Sequence, residues 1–250
     1  PATTPDVVTD PYAGTAYLKV QRTTHATGGG PGLGRAAVQA NVDLCNEYRR
    51  GRYGLPAQQP DEALMAGIDV QTIEHFYDNG KAADKTTGYS LDVYDLQRWL
   101  DDLKAGDGSD PKTPPDCSAV KKVELTSGTL WLDGVKYSLR YDSKQALGTK
   151  GGASFTAAAL DSDANVAAWP KKTVLGESCS IASGPAVPSN LVQCLWDRFP
   201  AKAWLNLPWA LESSGGAGQE VRDIALVVES NKPLPAGAID IPAGFTAKVD

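Results

Sequence analysis

Leu130-Trp131-Leu132-Asp133-Gly134-Val135-Lys136-Tyr137 is the stretch that decides the fold. Two apolar runs flank an Asp-Gly pair, which favours the left-handed backbone of a two-residue hairpin turn whose twist matches the strands it joins. That turn fixes the register, so Leu132 opposes Val135 and Leu130 opposes Tyr137. Side chains alternate along a strand, so these four, with Leu139 and Tyr141, predict one apolar face. Thr129, Trp131, Lys136, Ser138 and Arg140 take the other. One packed face and one mostly wetted face is the pattern of an antiparallel sheet.

The chain after residue 118 keeps this β texture. Further strands are expected at 153–160, 173–181, 191–199 and 221–229, the last alternating Ile224, Leu226 and Val228 with Asp223 and Ala225. Toward the N-terminus, Tyr17 to Gln21 reads as a strand and Gly28 to Gly34 as a glycine-rich loop. Between 61 and 105 the spacing turns helical. Val70, Ile73, Phe76 and Tyr77 predict one helix stopping at Gly80. Leu96, Trp99, Leu100 and Leu103 predict a second, capped by Ser90 and ended by Gly106 and Pro111. Gly106 to Cys117 reads as a loop and an internal boundary. The fold class is therefore α+β, one antiparallel sheet with helices on one side.

Composition narrows the function. The chain has 250 residues, 42% hydrophobic and 22% charged, which excludes global disorder. Its formal net charge of -6 argues against nucleic acid as a partner. The longest charge-poor run of interest, Ser178 to Trp196, is broken by Gly184, Pro185, Pro188 and Asn190, so nothing reads as transmembrane. Pro1, Pro5 and Pro11 make residues 1–11 read as a disordered tether, of the kind signal-peptide removal leaves. Four cysteines without C-x-x-C spacing point to two disulfides and hence to a periplasmic or extracellular compartment. Cys179 and Cys194 lie on the arms of a second expected hairpin, directly opposite each other, which sets Ile181 against Val192 and Glu177 against Trp196. Cys45 then pairs with Cys117 by elimination, with the crossed pairings as alternatives.

Catalytic and cofactor motifs are absent. There is no G-x-S-x-G or H-E-x-x-H, and the glycine run supplies neither a phosphate loop nor a dinucleotide fingerprint, so no cofactor or metal is expected. Asp161 to Asn165 opens like a calcium loop, but Val166 stands where glycine belongs. Asp101 and Asp102 are adjacent and form a solvated helix face. His75 reads as a half-buried surface residue, and His25, beside the glycine loop, is the better catalytic candidate.

The densest signal is apolar. Trp196, Phe199, Trp204, Leu205, Leu207, Pro208, Trp209 and Leu211 fall within 16 residues. They build either a core or the wall of an apolar cavity. Leu130, Tyr137, Trp196, Trp204, Leu205 and Trp209 are the candidate ligand-binding residues.

Thr173-Val174-Leu175-Gly176-Glu177-Ser178-Cys179, the strand ending Cys194-Leu195-Trp196, then Leu211-Glu212-Ser213, and the closing Ile239-Asp240-Ile241-Pro242-Ala243-Gly244-Phe245 follow one another in an order that resembles the LolA-like periplasmic proteins. The hairpin from Leu130 resembles that family's central one, with Arg140 in the place of its usual arginine. The likeness runs from about residue 120 to the end. It implies a curved antiparallel β-sheet, an incomplete barrel, with helices packed on its concave face. Residues 12–250 then form a single domain with a helical and loop insertion at about 23–117. It also implies a non-catalytic protein binding a hydrophobic small molecule or lipid, such as an acyl chain or lipoprotein anchor, between sheet and helices. The alternatives are a secreted hydrolase or lyase acting on a polymer through His25 or acidic residues beside the glycine loop, and an interaction module in which Trp131 anchors a protein partner.

Overall fold

The Asp133-Gly134 turn forms with both residues at positive φ, 50° and 80°. It joins β5 (Lys121–Leu132) to β6 (Val135–Arg140), with Leu130 opposite Tyr137 and Leu132 opposite Val135, as the sequence dictates. The computed structural model describes residues 14–106, 111–150, 168–183, 189–198 and 209–250. The tether at 1–11, the strand at 153–160, the loop at 161–165, Trp204 and Leu205 lie outside the described residues.

The same turn chemistry recurs where a helix was expected. Val70–Asp78 is not helical: it is strand β3, and Asn79-Gly80, with φ of 44° and 91°, turns it back into β4 (Lys81–Asp92). Val70, Ile73, Phe76 and Tyr77 match helical spacing, yet β-branched and aromatic residues before an Asn-Gly pair favour a hairpin. Ser90 accordingly lies in β4 and caps nothing; the following helix, α3 (Tyr94–Ala105), starts after Val93. Leu175-Gly176, with φ of 51° and 85°, likewise splits the expected 173–181 strand into β8 (Lys171–Val174) and β9 (Glu177–Ile181).

The remaining strands are β1 (Thr15–Ala26), β2 (Gly30–Pro31), β7 (Gln145–Lys150), β10 (Leu191–Trp196), β11 (Ala210–Gly215), β12 (Gln219–Ser230) and β13 (Thr246–Val249). They form one sheet in the order β13-β7-β6-β5-β4-β3-β1-β12-β11-β10-β9-β8, with β2 beside β1. Among the described residues the sheet does not close on itself. All pairings are antiparallel except β13 with β7. The segment expected as an insertion thus supplies β3 and β4, two central strands.

Each side of the sheet has its own core. On one side Phe76, Ala83, Leu130, Leu139 and Ala146 are covered by the C-terminal segment through Leu234, Ile239, Ile241 and Phe245. On the other, Leu18, Val20, Ile73, Tyr77 and Ala82 meet Trp196, Trp209 and Leu211. The helices α1 (Leu33–Tyr53), α2 (Glu62–Gly67) and α3 gather a third core, in which Val38, Val42, Met65 and Leu96 surround the end of β4 at Leu91. Gly28 to Gly34 is only partly a loop, since Gly30 and Pro31 pair back onto β1 and α1 begins at Leu33. Asp69 explains this start. Its Oδ2 accepts the Gly32 N–H at 3.0 Å, and a Cβ on Gly32 would lie 2.5 Å from Asp69 Oδ1. A carboxylate from beyond α2 therefore caps a helix that has no acidic residue in its own first turn.

Both disulfides form as expected, Cys179 with Cys194 and Cys45 with Cys117, with Cα–Cα distances of 5.3 and 5.7 Å. The register of the second hairpin differs. Ile181 lies opposite Cys194 and Cys179 opposite Trp196, two residues from the expected alignment. A shift of two keeps every side chain on its own face, so the cysteines remain diagonal neighbours that the bridge can join. Glu177 still meets Trp196 through a hydrogen bond from the indole Nε1 to Oε2 at 3.1 Å.

Candidate functional site

Alternation along β5 divides the candidate ligand residues. Leu130 points into the core under the C-terminal segment and is fully buried, with Tyr137 beside it. Trp131, the next residue, emerges on the opposite side, where Trp196 and Trp209 lie. The structure thus brings Trp196 and Trp209 together, with ring centroids 6.1 Å apart and planes at 21°, but separates them from Leu130 and Tyr137 by the thickness of the sheet.

The side carrying the tryptophans also holds a polar constellation that sequence reasoning missed. The Asn79-Gly80 turn sets His75 of β3 directly opposite Asp84 of β4, and their side chains meet with Nδ1 2.6 Å from Oδ1. The two side chains are 16% and 18% exposed, and the His75 ring lies 5.3 Å from that of Trp209. Thr129 follows across the next strand, opposite Asp84. Trp131 completes the row beside it, opposite Ala82, half-buried and with Lys136 Nζ 5.6 Å from its ring centre. Trp196 and Trp209 are themselves buried in the core, so the accessible part of this row is Trp131, with a mostly buried, carboxylate-oriented imidazole nearby. An imidazole held this way can donate or accept at its other nitrogen, which suits recognition of a polar group next to an apolar one.

His25 is elsewhere. It is exposed near the end of β1, opposite Pro31 and Glu220. Among the described residues no three His, Cys, Asp or Glu groups gather as a metal site requires, and no helix is long and apolar enough to cross a membrane.

Two grooves open between strands. One, of about 440 Å³, lies over β8 to β12 and mixes Ile181, Val192 and Ile224 with Lys172, Glu212 and Arg222. Beside it Arg22 makes a two-point contact with Asp223 at 2.8 Å for each bond, and Ser213 adds a third bond at 3.0 Å. The other, of about 710 Å³, is bordered by Thr86, Gly88, Leu125, Ser127, Ser138 and Arg140. A third polar knot lies at the sheet end. Burial pushes the Asp197 carboxyl up, but hydrogen bonds from Ser178, Ser180 and Lys171 outweigh it and hold the group below its ordinary value. These bonds tie β8, β9 and the residue after β10 together.

No family model and no curated protein matches the chain. Two disulfides place the maturation of the chain in an oxidising compartment outside the cytoplasm.

Proposed function

We propose that this is a non-catalytic periplasmic or extracellular protein, LolA-like in plan, that binds a lipid, an acyl chain or a lipoprotein anchor. The reading rests on how the sheet's two sides are used. The C-terminal segment fills one side with the protein's own Leu234, Ile239, Ile241 and Phe245, so Leu130 and Tyr137 serve the core there. The other side offers Trp131 with part of its ring still accessible, next to the His75–Asp84 pair. An amphipathic ligand on that surface sets its apolar part against Trp131 and its polar end toward His75, over a core in which Trp196 and Trp209 are already buried.

Mass spectrometry of organic extracts from natively purified protein, with titration of a fluorescent fatty acid, tests the reading. The expected result is an apolar co-purifying ligand and saturable probe binding that Trp131→Ala weakens about tenfold or more, a loss of roughly 1.4 kcal/mol. A folded, disulfide-bonded protein that carries no extractable ligand and does not bind the probe overturns it.

A further inference from the structure

Strand β5 outruns its neighbour. Its ladder with β4 runs from Lys121 opposite Asp92 to Trp131 opposite Ala82, whereas β6 reaches back only to the pair Ser127–Arg140. Lys121 to Thr126 therefore has a strand on one side and, among the described residues, none on the other. Alternate residues of an antiparallel strand direct both N–H and C=O to the same side, so roughly half of this segment aims donors and acceptors into the gap. The gap is continuous with the 710 Å³ groove, which Glu124, Leu125, Thr126, Tyr141 and Asp142 border here. It is a longer free edge than either end of the sheet, where β8 and β13 have 4 residues each.

The side chains on this edge have a particular order. Val123 and Leu125, 40% and 49% exposed, share one face. Lys122 and Glu124 share the other and pair with each other at 2.9 Å. An exposed edge with apolar residues on one face is a template for strand addition.

We propose that this edge pairs antiparallel with the same edge of a second copy of the chain across a twofold axis. In a continuous sheet, residues placed opposite each other must share a face. The register that sets Val123 opposite its own copy then sets Lys122 opposite Glu124 of the second copy, and Glu124 opposite Lys122. Two cross-strand ion pairs flank one apolar pair, a self-complementary pattern of the kind a twofold interface needs. The neighbouring registers, with Glu124 or Lys122 opposite itself, stack like charges. Lys121 falls opposite Leu125, so the pairing ends before Ser127, where β6 takes over the edge. The charge pattern and the length of the free edge both match a second copy of the same strand.

Sedimentation equilibrium of the full disulfide-bonded chain at low and at 0.15 M salt, an ordinary physiological ionic strength, tests this. The expected result is a concentration-dependent dimer of twice 26.4 kDa, weaker at the higher salt. Lys122→Glu and Glu124→Lys should each weaken the dimer about tenfold or more on its own. An equimolar mixture of the two variants should pair again, because each then presents the charges the other lacks, and the double reversal in one chain should restore the homodimer. Val123→Cys should give an intermolecular disulfide under oxidation, and Leu125→Cys should not. The proposal is overturned by a chain that stays monomeric to millimolar concentration, by a dimer indifferent to both reversals, or by variants that fail to pair when mixed. Circular dichroism on each variant keeps a folding failure from passing for a lost interface.

Discussion

Leu130→Ala and Trp131→Ala, adjacent substitutions on one strand, should separate stability from binding. Leu130 is fully buried among Phe76, Ala83, Leu139 and the C-terminal Phe245. Truncation to alanine removes roughly three carbon groups, about 2.4 kcal/mol at about 0.8 kcal/mol each, and the cavity adds more because a strand pinned on both sides relaxes little. A cost of about 3 to 4 kcal/mol follows, which in a chain of this size lowers the melting temperature by roughly 6 to 16 °C. Trp131 is only half-buried, so Trp131→Ala should cost only about 1 to 2 kcal/mol. It should, however, weaken fatty-acid binding while Leu130→Ala leaves the affinity of the folded fraction unchanged. Urea unfolding followed by circular dichroism, with probe titration on the same samples, measures both. If Trp131→Ala proves the more destabilising, or Leu130→Ala costs under about 1 kcal/mol, the assignment of the two faces is wrong.

Asp69→Ala should destabilise the chain by about 1 to 2 kcal/mol in urea melts, because the buried Gly32 N–H loses its acceptor, while Asp69→Asn, which keeps an oxygen, should cost less. Removing Cys45–Cys117, which closes a separation of 72 residues, should cost about 4 kcal/mol against about 3 for Cys179–Cys194, whose separation is 15, when paired alanine variants are unfolded side by side. Stability should also fall at both ends of the pH range. The Asp116 carboxyl is held below its ordinary value chiefly by the Ser118 hydroxyl, and Asp197 by its three partners against burial. Each contribution is complete above about pH 4 and is lost as pH drops through the lower folded value. Tyr17 is shifted the other way, by burial and its bond to Glu74, so its contribution is complete below about pH 10 and is lost above it. Tyr17→Phe should flatten the alkaline limb of a melting-temperature profile and leave the acid limb alone.

What the sequence made legible was whatever a two-residue turn controls. Asp133-Gly134 determined every pair between β5 and β6, and with them the two faces of the hairpin. Asn79-Gly80 carried equal information. From the pair Asp78–Lys81 at that turn, counting back along both strands gives His75 opposite Asp84, so the polar part of the site was available in principle. It was obscured because β3 is covered on both sides. Ile73 and Tyr77 enter one core and Phe76 the other, and the alternation that marks a half-wetted strand is lost, leaving a spacing that imitates a helix. The same parity rule shows why Leu130 and Tyr137 cannot share a cavity with Trp196 and Trp209. Leu130 and Trp131 are consecutive in a strand, and a cavity holding both sets would have to pass through the sheet.

Pairings between strands far apart in sequence obey no such local rule. β1 meets β12 across about 200 residues with a register shift at Lys19–Val20, and Asp69 reaches Gly32 from a loop with no period at all. Such contacts are selected by what they bury rather than by local turn chemistry. The free half of β5 follows from the two constraints on that strand. Its alignment with β4 is set by the long ladder from Asp92–Lys121 to Ala82–Trp131, and its alignment with β6 by the turn at Asp133-Gly134, after which β6 ends at Arg140 and turns away. Neither constraint supplies a neighbour for Lys121 to Thr126. The backbone groups left there must find either water or another strand, and the alternation of Lys122 and Glu124 on one face with Val123 and Leu125 on the other makes a second copy the better match.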